Sequence, residues 1–380
     1  MDKVRLGIIG IGNMGSSHGK NIIEGKVPGI TLAAVADLRA ERRDWAAENL
    51  GRDVRVYTDG RELIAGGLCD AVLISVPHYD HPVFAIEAFK AGLHVLCEKP
   101  AGVYTKQVRE MNHAAEASGL VFALMFNQRT NGLYREMRRI VAEGELGAIK
   151  RVNWIITDWY RTQNYYDSGD WRATWTGEGG GVLLNQCPHQ LDLFQWICGM
   201  PKKVRAFCHE GKWHNIEVED DVTAYFEYPN GATGTFITST ADAPGTNRFE
   251  ITGEMGKLVC ENNELLFSKL EENERSFCKN AKSGFGAPPY AILKIAPVGG
   301  NEQHIGVLKA FADRILHGGP LVADGAEGIW ELTLSNAMYL SSWLDTTITL
   351  PLDEDLFLAE LNKRRAASRH KVGSGQVFAV

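Results

Sequence analysis

Long apolar runs are missing from this chain of 380 residues. It has no stretch of about 18 or more apolar residues, the length that a membrane-spanning helix needs. No signal peptide is visible either, because the first residues run directly into a short apolar segment of β type. We therefore expect a cytoplasmic protein with no membrane partner.

Paired cysteines are missing as well. The seven cysteines are scattered along the chain, and none forms a C-x-x-C pair. Zinc knuckles need closely spaced ligands and disulfide frameworks need an even set of cysteines, so neither is indicated. We expect reduced, mostly buried thiols and no bound metal.

An excess of positive charge is the third missing feature. The formal net charge is −7 at pH 7, and the sequence pI is about 5.9. Nucleic acids attract proteins through a concentrated positive field, so we expect no nucleic-acid partner. With 44% hydrophobic residues, the chain is long enough for two globular domains that each have a sizeable core.

The first third of the chain alternates apolar segments of β type with helical segments. The predicted strands are 4–9, 31–37, 71–76, 93–97 and 120–125, and the predicted helices are 14–24, 40–50, 81–91 and 104–118. This alternation is typical of a parallel, doubly wound α/β sheet.

The pattern changes after Asn127. We predict a helix at 132–143, a strand at 150–161, a β-hairpin made of 221–228 and 233–240, a long loop or arm at 272–302, and helices at 304–317 and 324–344. We assign residues 1–126 to an N-terminal Rossmann domain and 127–350 to an α/β domain with a large, mainly antiparallel open sheet. Residues 351–380 are predicted to form a C-terminal extension.

A glycine-rich turn follows the first predicted strand and indicates a dinucleotide site. Gly10 permits the tight turn, Gly12 lets a phosphate approach the backbone, and Gly15 lets the helix pack on the strand. Asp37 ends the next strand, where a carboxylate accepts hydrogen bonds from ribose hydroxyls and repels the extra phosphate of NADP. We predict NAD as the cofactor, although Arg39 could offset part of that repulsion. This part of the predicted cofactor site comprises Gly10, Ile11, Gly12, Asn13, Met14, Gly15, Asp37 and Leu38.

A second candidate site is Glu98-Lys99-Pro100, directly after the predicted strand 93–97. Open α/β sheets bind ligands at the carboxyl ends of their strands, so we expect Lys99 to project toward the nicotinamide end of the cofactor, with Pro100 in a cis peptide bond. The alternative is a solvated ion pair between Glu98 and Lys99. The position after the strand favours the functional interpretation.

A third candidate site is the segment from Gly179 to Asp192. On one continuous helix Asn185, His189 and Asp192 would share a polar stripe facing away from the core, although Pro188 should kink or restart the helix. A lone histidine is more often structural. Here the amide and the carboxylate on the same stripe could fix its tautomer and adjust its pKa, so we interpret His189 as a general base.

Together, these three motifs resemble the Gfo/Idh/MocA oxidoreductase family, over about residues 3 to 350. The resemblance implies a Rossmann domain followed by an α/β domain with an open sheet. It also implies NAD(P)-dependent oxidation or reduction of a sugar, cyclitol or related polyol, without a metal, and Lys99 and His189 as catalytic residues facing the reacting hydroxyl. Many members carry an aspartate where this chain has Asn185, and an amide cannot hold a proton as a carboxylate does, so His189 and Lys99 must suffice.

The resemblance extends to further residues beside the cofactor and the substrate. The implied cofactor contacts are Ser75, Val76, Pro77, His78, His81, Glu98, Lys99, Asn127, Trp171 and Arg172. Aromatic rings pack on the apolar faces of sugars, while charged side chains bind hydroxyls. The expected substrate-binding residues are Lys99, Gln128, Arg129, Asp158, Tyr160, Arg161, Trp175, Asn185 and His189. The alternative for each aromatic ring is packing within the sheet domain.

The sequence thus predicts an NAD-dependent dehydrogenase that acts on a secondary alcohol of a pyranose or glycoside. The C3 hydroxyl is favoured by resemblance to glucoside 3-dehydrogenase-type members. Alternatives are an inositol dehydrogenase, a keto-sugar reductase, a glycosidase that uses NAD transiently, or a non-catalytic NAD-binding regulator. The regulator is disfavoured because Lys99 and His189 are both present. An open sheet with one apolar face predicts a homodimer or homotetramer.

Overall fold

Short, mostly buried strands form the first sheet of the computed structural model, which describes residues 2–369, 371 and 373. These strands are β1 (Val4–Ile9), β2 (Ile30–Ala36), β3 (Arg55–Tyr57), β4 (Ala71–Ile74), β5 (His94–Cys97) and β6 (Phe122–Leu124). In the described part of the chain they form one parallel sheet in the order β3-β2-β1-β4-β5-β6. The doubly wound sheet is therefore confirmed. The sequence prediction missed β3, whose three residues are too few to show a period.

Helices cover both faces of this sheet. The helices of the first half are α1 (Asn13–Ile23), α2 (Ala40–Asn49), α3 (Gly60–Ala65), α4 (His81–Lys90) and α5 (Thr105–Ser118). Buried side chains of α1 and α2 pack on one face, and those of α3, α4 and α5 pack on the other. Strands covered on both faces must be apolar on both sides, which explains their continuous hydrophobic runs.

The second sheet is mixed and mostly antiparallel. Its strands are β7 (Ile149–Ile156), β8 (Lys203–Glu210), β9 (Glu219–Glu227), β10 (Thr233–Ser239), β11 (Asn247–Gly253), β12 (Gly256–Glu261), β13 (Glu264–Leu270), β14 (Tyr290–Ile295) and β15 (Ile348–Thr349). Among the residues described, the order is β14-β13-β12-β11-β7-β10-β9-β8-β15, and β10 runs parallel to β7. The predicted hairpin is confirmed by the antiparallel pairing of β9 with β10.

The remaining helices are α6 (Gly132–Ala142), α7 (Gln163–Asp167), α8 (Pro188–Cys198), α9 (Glu274–Asn280), α10 (Gln303–His317), α11 (Gly328–Trp343) and α12 (Glu354–Ala367). Buried side chains of α6, α8 and α11 pack on one face of the second sheet, whereas α9 has no buried residue. Short 3-10 helices span His78–Asp80, Asn127–Thr130 and Gly325–Glu327. The α10 side chains Leu308 and Phe311 pack with β1, so the chain returns to the first sheet near its end.

The segment 272–302 departs from the prediction. It contains α9 and β14, and β14 pairs with β13 at the edge of the second sheet. Its glycines and prolines lie around these elements, which made the whole segment look like a loop. Of the predicted extension 351–380, residues 370, 372 and 374–380 lie outside the described part.

The state of the cysteines and the absence of membrane-spanning helices were both predicted from the composition. All seven cysteines lie within the described residues and are unpaired, and only Cys278 is fully exposed. In the same described part, no helix is long and apolar enough to cross a membrane.

Candidate active site

A cavity of about 1040 Å³ lies at the carboxyl ends of the first sheet, where residues of the second domain close over it. Most of the predicted site residues line it. They are Gly10, Gly12, Asn13, Met14, Asp37, Leu38, Ser75, Val76, Pro77, His78, His81, Glu98, Lys99, Asn127, Gln128, Arg161, Trp171, Arg172, Asn185 and His189. The fold therefore brings together segments that are far apart in the sequence.

The glycine turn leaves free space in front of α1. Gly10 has a φ of +92°, and a Cβ atom there would lie 2.3 Å from the carbonyl oxygen of Ser75. A Cβ atom on Gly15 would lie 1.9 Å from the carbonyl oxygen of Gly10, whereas one on Gly12 would meet nothing within 4 Å. No side chain caps the N-terminus of α1. Its free N–H groups face this space, so the turn fits the pyrophosphate of a dinucleotide.

Asp37 is fixed at the edge of the cavity, just beyond β2. Its Oδ2 accepts a hydrogen bond from the backbone N–H of Ile11 (2.7 Å), and its Oδ1 accepts one from that of Arg39 (2.9 Å). Ile11 and Gly15 themselves do not line the cavity. Their role is to shape the turn, Ile11 by holding Asp37 and Gly15 by letting α1 approach β1.

Lys99 is anchored across the cavity. The Lys99–Pro100 peptide bond is cis, as predicted. Lys99 Nζ donates a hydrogen bond to the backbone carbonyl oxygen of Asn185 (2.7 Å). Burial lowers the pKa of the Lys99 ammonium, while the carboxylates of Glu98 and Glu178 oppose that effect. The alternative of a solvated Glu98–Lys99 pair is wrong, because Glu98 is buried and the half-buried Lys99 is hydrogen-bonded across the cavity.

Glu98 is paired with a histidine. Its Oε1 lies 2.7 Å from Nε2 of His18, a buried residue of α1. Burial opposes ionisation of Glu98, but the hydrogen bond with His18 and the electrostatic effects of His18, His304 and Lys99 together outweigh it and lower the pKa of the carboxyl group to about 2. Glu98 therefore carries a fixed negative charge next to Lys99.

His189 presents a neutral ring to the cavity. Burial, the ammonium of Lys99 and the imidazole of His304 lower its pKa well below the usual value. Its Nδ1 has no hydrogen-bond partner among the residues described. A neutral imidazole with a free nitrogen can accept a proton, which is what a general base needs.

The predicted polar stripe of Asn185, His189 and Asp192 is wrong. The helix α8 begins at Pro188, whose missing N–H suits the first helical position, so Asn185 lies in the turn before it. Asp192 is buried and forms an ion pair with Arg129, with 2.6 Å between Oδ1 and Nη2. The charges that act on His189 come from Lys99 and Glu98, and not from Asp192.

The turn that carries Asn185 is tied to the second sheet by Glu219 of β9. The Glu219 carboxylate accepts hydrogen bonds from the backbone N–H groups of Gly181 and Leu183, both at 2.9 Å. A Cβ atom on Gly181 would lie 1.9 Å from the carbonyl oxygen of Glu219, so only glycine fits there. This contact places Asn185 and His189 over the first sheet.

Four residues predicted to bind substrate do not line the cavity. Arg129 is buried between Asp192 and Glu327. Trp175 is buried and packs edge-on against an aromatic ring of α11. Asp158 and Tyr160 are exposed, whereas their neighbours Trp159 and Arg161 line the cavity. Successive residues of an extended chain point to opposite sides, which explains this alternation.

The cavity also contains residues that the sequence prediction missed, namely Trp159, Tyr165, Gln186 and His304. The hydroxyl group of Tyr165 accepts hydrogen bonds from Arg172 Nη1 (2.9 Å) and Gln186 Nε2 (3.2 Å). Gln186 could have been found as the neighbour of Asn185. His304 comes from α10, more than a hundred residues away, and the local sequence gives no indication of it.

Within residues 2–369, 371 and 373, no group of three or more histidine, cysteine or acidic side chains has the arrangement of a metal site.

Family models match both domains. A model described as "Oxidoreductase family, NAD-binding Rossmann fold" matches residues 4–126, and one described as "GFO/IDH/MocA C-terminal domain" matches residues 134–259. Together they span more than half of the chain.

Individual relatives agree with these models. The chain is 25% identical to levoglucosan dehydrogenase from Pseudarthrobacter phenanthrenivorans, over 91% of this chain and 98% of that one. It is 23% identical to myo-inositol 2-dehydrogenase from Thermotoga maritima, over 88% and 95%. Among solved structures, the WlbA dehydrogenase from Chromobacterium violaceum in complex with NADH and UDP-GlcNAcA is 28% identical. Its TM-score is 0.79, with 93% of this chain and 97% of that chain covered.

Proposed function

Because the chain belongs to the Gfo/Idh/MocA family of NAD-binding oxidoreductases, which includes sugar and cyclitol dehydrogenases, we propose a specific reaction for it. It oxidises a secondary alcohol of a pyranose or glycoside with NAD, and the C3 hydroxyl is the favoured position. One observation carries this proposal: Lys99 and His189 line the same cavity as the glycine turn and Asp37.

The residues present fit NAD. The backbone N–H groups at the start of α1 would hold the pyrophosphate, in the space that Gly12 leaves open. Asp37 would accept hydrogen bonds from the adenosine ribose. When bound, NAD supplies the acceptor for the hydride that leaves the substrate carbon.

The side chains of the protein would handle the proton and the developing charge. His189 accepts the hydroxyl proton on its ring, and Lys99 donates a hydrogen bond to the oxygen as it becomes an alkoxide. Trp159 and Trp171 offer aromatic faces to the apolar side of a sugar ring. Gln128 and Arg161, which also line the cavity, are proposed to bind its hydroxyls.

A levoglucosan dehydrogenase and a myo-inositol 2-dehydrogenase match this chain over similar lengths. The choice of a pyranose over a cyclitol therefore rests on the sequence resemblance to glucoside 3-dehydrogenase-type members. A panel of pyranoses, glycosides and inositols, assayed for NADH formation, tests this choice. Preference for an inositol would replace the pyranose proposal with the cyclitol alternative.

The variants Lys99→Ala and His189→Ala test the roles of the two residues. Each should lower turnover on the identified substrate by about 100-fold or more, the usual scale for positioned acid–base groups. NADH binding, followed by fluorescence titration, should change little. Lys90→Ala and His113→Ala on the surfaces of α4 and α5 are the matched controls. Near-normal turnover of either cavity variant would contradict its assigned role.

We also propose that the chain forms a homodimer or homotetramer. One face of the second sheet is covered by α8 and α11, and the other carries exposed side chains such as Phe207 and Tyr225. Large exposed aromatic side chains on an open sheet favour association with a second copy.

A further inference from the structure

Glu178 is a buried carboxylate directly behind the candidate active site. Its side chain is 2% exposed and does not line the cavity. Oε2 accepts a hydrogen bond from the backbone N–H of Ala173 (2.6 Å), and Oε1 lies 3.9 Å from Nη1 of Arg172. The backbone carbonyl of Glu178 also meets His78 Nδ1 at 3.1 Å. The residue therefore contacts cavity-lining segments from both domains.

Asn185 connects this carboxylate to Lys99. The Asn185 side chain donates a hydrogen bond from Nδ2 to Glu178 Oε1, while its backbone carbonyl accepts the hydrogen bond from Lys99 Nζ (2.7 Å). Its Oδ1 accepts a further hydrogen bond from the hydroxyl of Tyr165 (3.3 Å). A single residue thus joins a buried negative charge to the ammonium of the active site.

We propose that Glu178 is a positioning residue for this reaction, which holds Asn185 in place and keeps Lys99 protonated through its negative charge. The inference rests on the proposed function, because it concerns the ionisation of the group that stabilises the alkoxide. Two observations support it: the hydrogen-bond donors around Glu178 and its link to Lys99 through Asn185.

The donors around Glu178 favour its charged form. Burial raises the pKa of the carboxyl group above its usual value, and the Arg172 guanidinium and the hydrogen bonds from Ala173 and Asn185 limit that rise. An ionised carboxylate only accepts hydrogen bonds, and every contact of its two oxygens described here is with a donor.

Glu178 acts on Lys99 together with other charges. The titratable and charged groups that act on Lys99 are Glu98, Glu178, Glu331 and Arg172, together with the imidazoles of His78, His189 and His304. Burial raises the pKa of Glu331 well above its usual range, which disfavours its charged form. Glu98, which is paired with His18, has the larger effect on the pKa of Lys99. Glu178 adds a second negative charge, and its hydrogen bond to Asn185 links that charge to the residue that accepts the hydrogen bond of Lys99.

The variant Glu178→Gln tests the charge while keeping the shape. Without the carboxylate, the pKa of Lys99 should fall, and the alkaline limb of the kcat/KM profile should move to lower pH by about one unit. The double variant Glu178→Gln with Asn185→Asp exchanges the carboxylate and the amide across the same hydrogen bond. It should return the alkaline limb toward its original position. Glu217→Gln is the control, since Glu217 also accepts a backbone N–H in this region, from Trp175 (2.7 Å).

A merely structural role would lower kcat/KM at every pH and leave the alkaline limb in place, and that result would overturn the proposal. If Glu178→Gln fails to fold, the double variant still tests the proposal, because an alkaline limb that stays displaced in the double variant would also overturn the proposal.

Carbon NMR of labelled lysine Cε atoms follows the titration of Lys99 without substrate. We expect the pKa of Lys99 to shift in these spectra as it does in the kcat/KM profiles. An unmodified protein that oxidises no alcohol of the panel would refute the proposed function, whereas unshifted lysine titrations would refute only the role of Glu178.

Discussion

Burial gives Lys99 and His189, the two side chains proposed to react, their acid–base character. The pKa of His189 is lowered well below its usual value, so its ring is neutral near pH 7 and can accept a proton. The pKa of Lys99 is also lowered by burial, and nearby carboxylates oppose that change. The two effects leave a neutral base and a charged hydrogen-bond donor in one cavity.

Asp37 is the residue that we expect to determine the preference for NAD over NADP. Asp37→Ser should narrow the preference for NAD over NADP, because serine has no charge to repel the additional phosphate. The ratio of kcat/KM for the two cofactors should fall by about tenfold. Asp59→Ser is the control, since Asp59 also lines the cavity but caps α3 through the backbone N–H of Arg61 (2.7 Å). If kcat/KM of the unmodified protein were as high with NADP as with NAD, the prediction would fail.

At the scale of elements, the buried pair Arg129–Asp192 joins α8 to the 3-10 helix Asn127–Thr130. Both side chains are at most 2% exposed. Without Asp192, the buried Arg129 would keep only the partly exposed Glu327 among the partners described, which is more costly than losing a surface pair. The pair therefore locks α8, and with it the ring of His189, onto the end of the first sheet.

Asp192→Asn should lower the free energy of unfolding by about 3 kcal/mol, measured by urea denaturation. The acid limb of the kcat/KM profile should keep its position, because Asp192 does not act on His189. Asp345→Asn removes the partner of Arg205 at the surface and should cost less than about 1 kcal/mol. A shift of the acid limb in Asp192→Asn would restore the role that the sequence predicted for Asp192.

At the scale of the whole molecule, the two sheets differ in what covers them. Helices cover both faces of the first sheet, with α10 returning from the C-terminal half to complete one of them. The second sheet is covered on one face, and its strand β9 alternates buried and exposed residues. The open face is where we expect a second copy of the chain to pack.

Light scattering should give two or four times the mass of one chain. Tyr225→Arg should reduce this mass, because it places a charge on the exposed face, where Tyr225 is 41% exposed. Trp330→Arg is the matched control, an aromatic residue of α11 that is 47% exposed and lies away from that face. A single-chain mass at every protein concentration would contradict the prediction.

The sequence by itself determined the features that depend on neighbouring residues. The alternation of strands and helices, the turn from Gly10 to Gly15, and the positions of Asp37 and Lys99 after their strands all follow from local patterns. Parallel strands place their carboxyl ends at one edge of a sheet, so the location of this half of the site could be derived before the fold was known.

Only the tertiary structure decided which distant groups meet. Lys99 and Asn185 are 86 residues apart. Their hydrogen bond is accepted by a backbone carbonyl, which every residue has, so no sequence pattern indicates it. The same holds for Asp192, whose partner Arg129 lies 63 residues away. Helical spacing shows which residues share a face of one helix. The partner of a buried charge is set by packing between elements, because a charge that is removed from water needs an opposite charge, and the fold decides which one lies near.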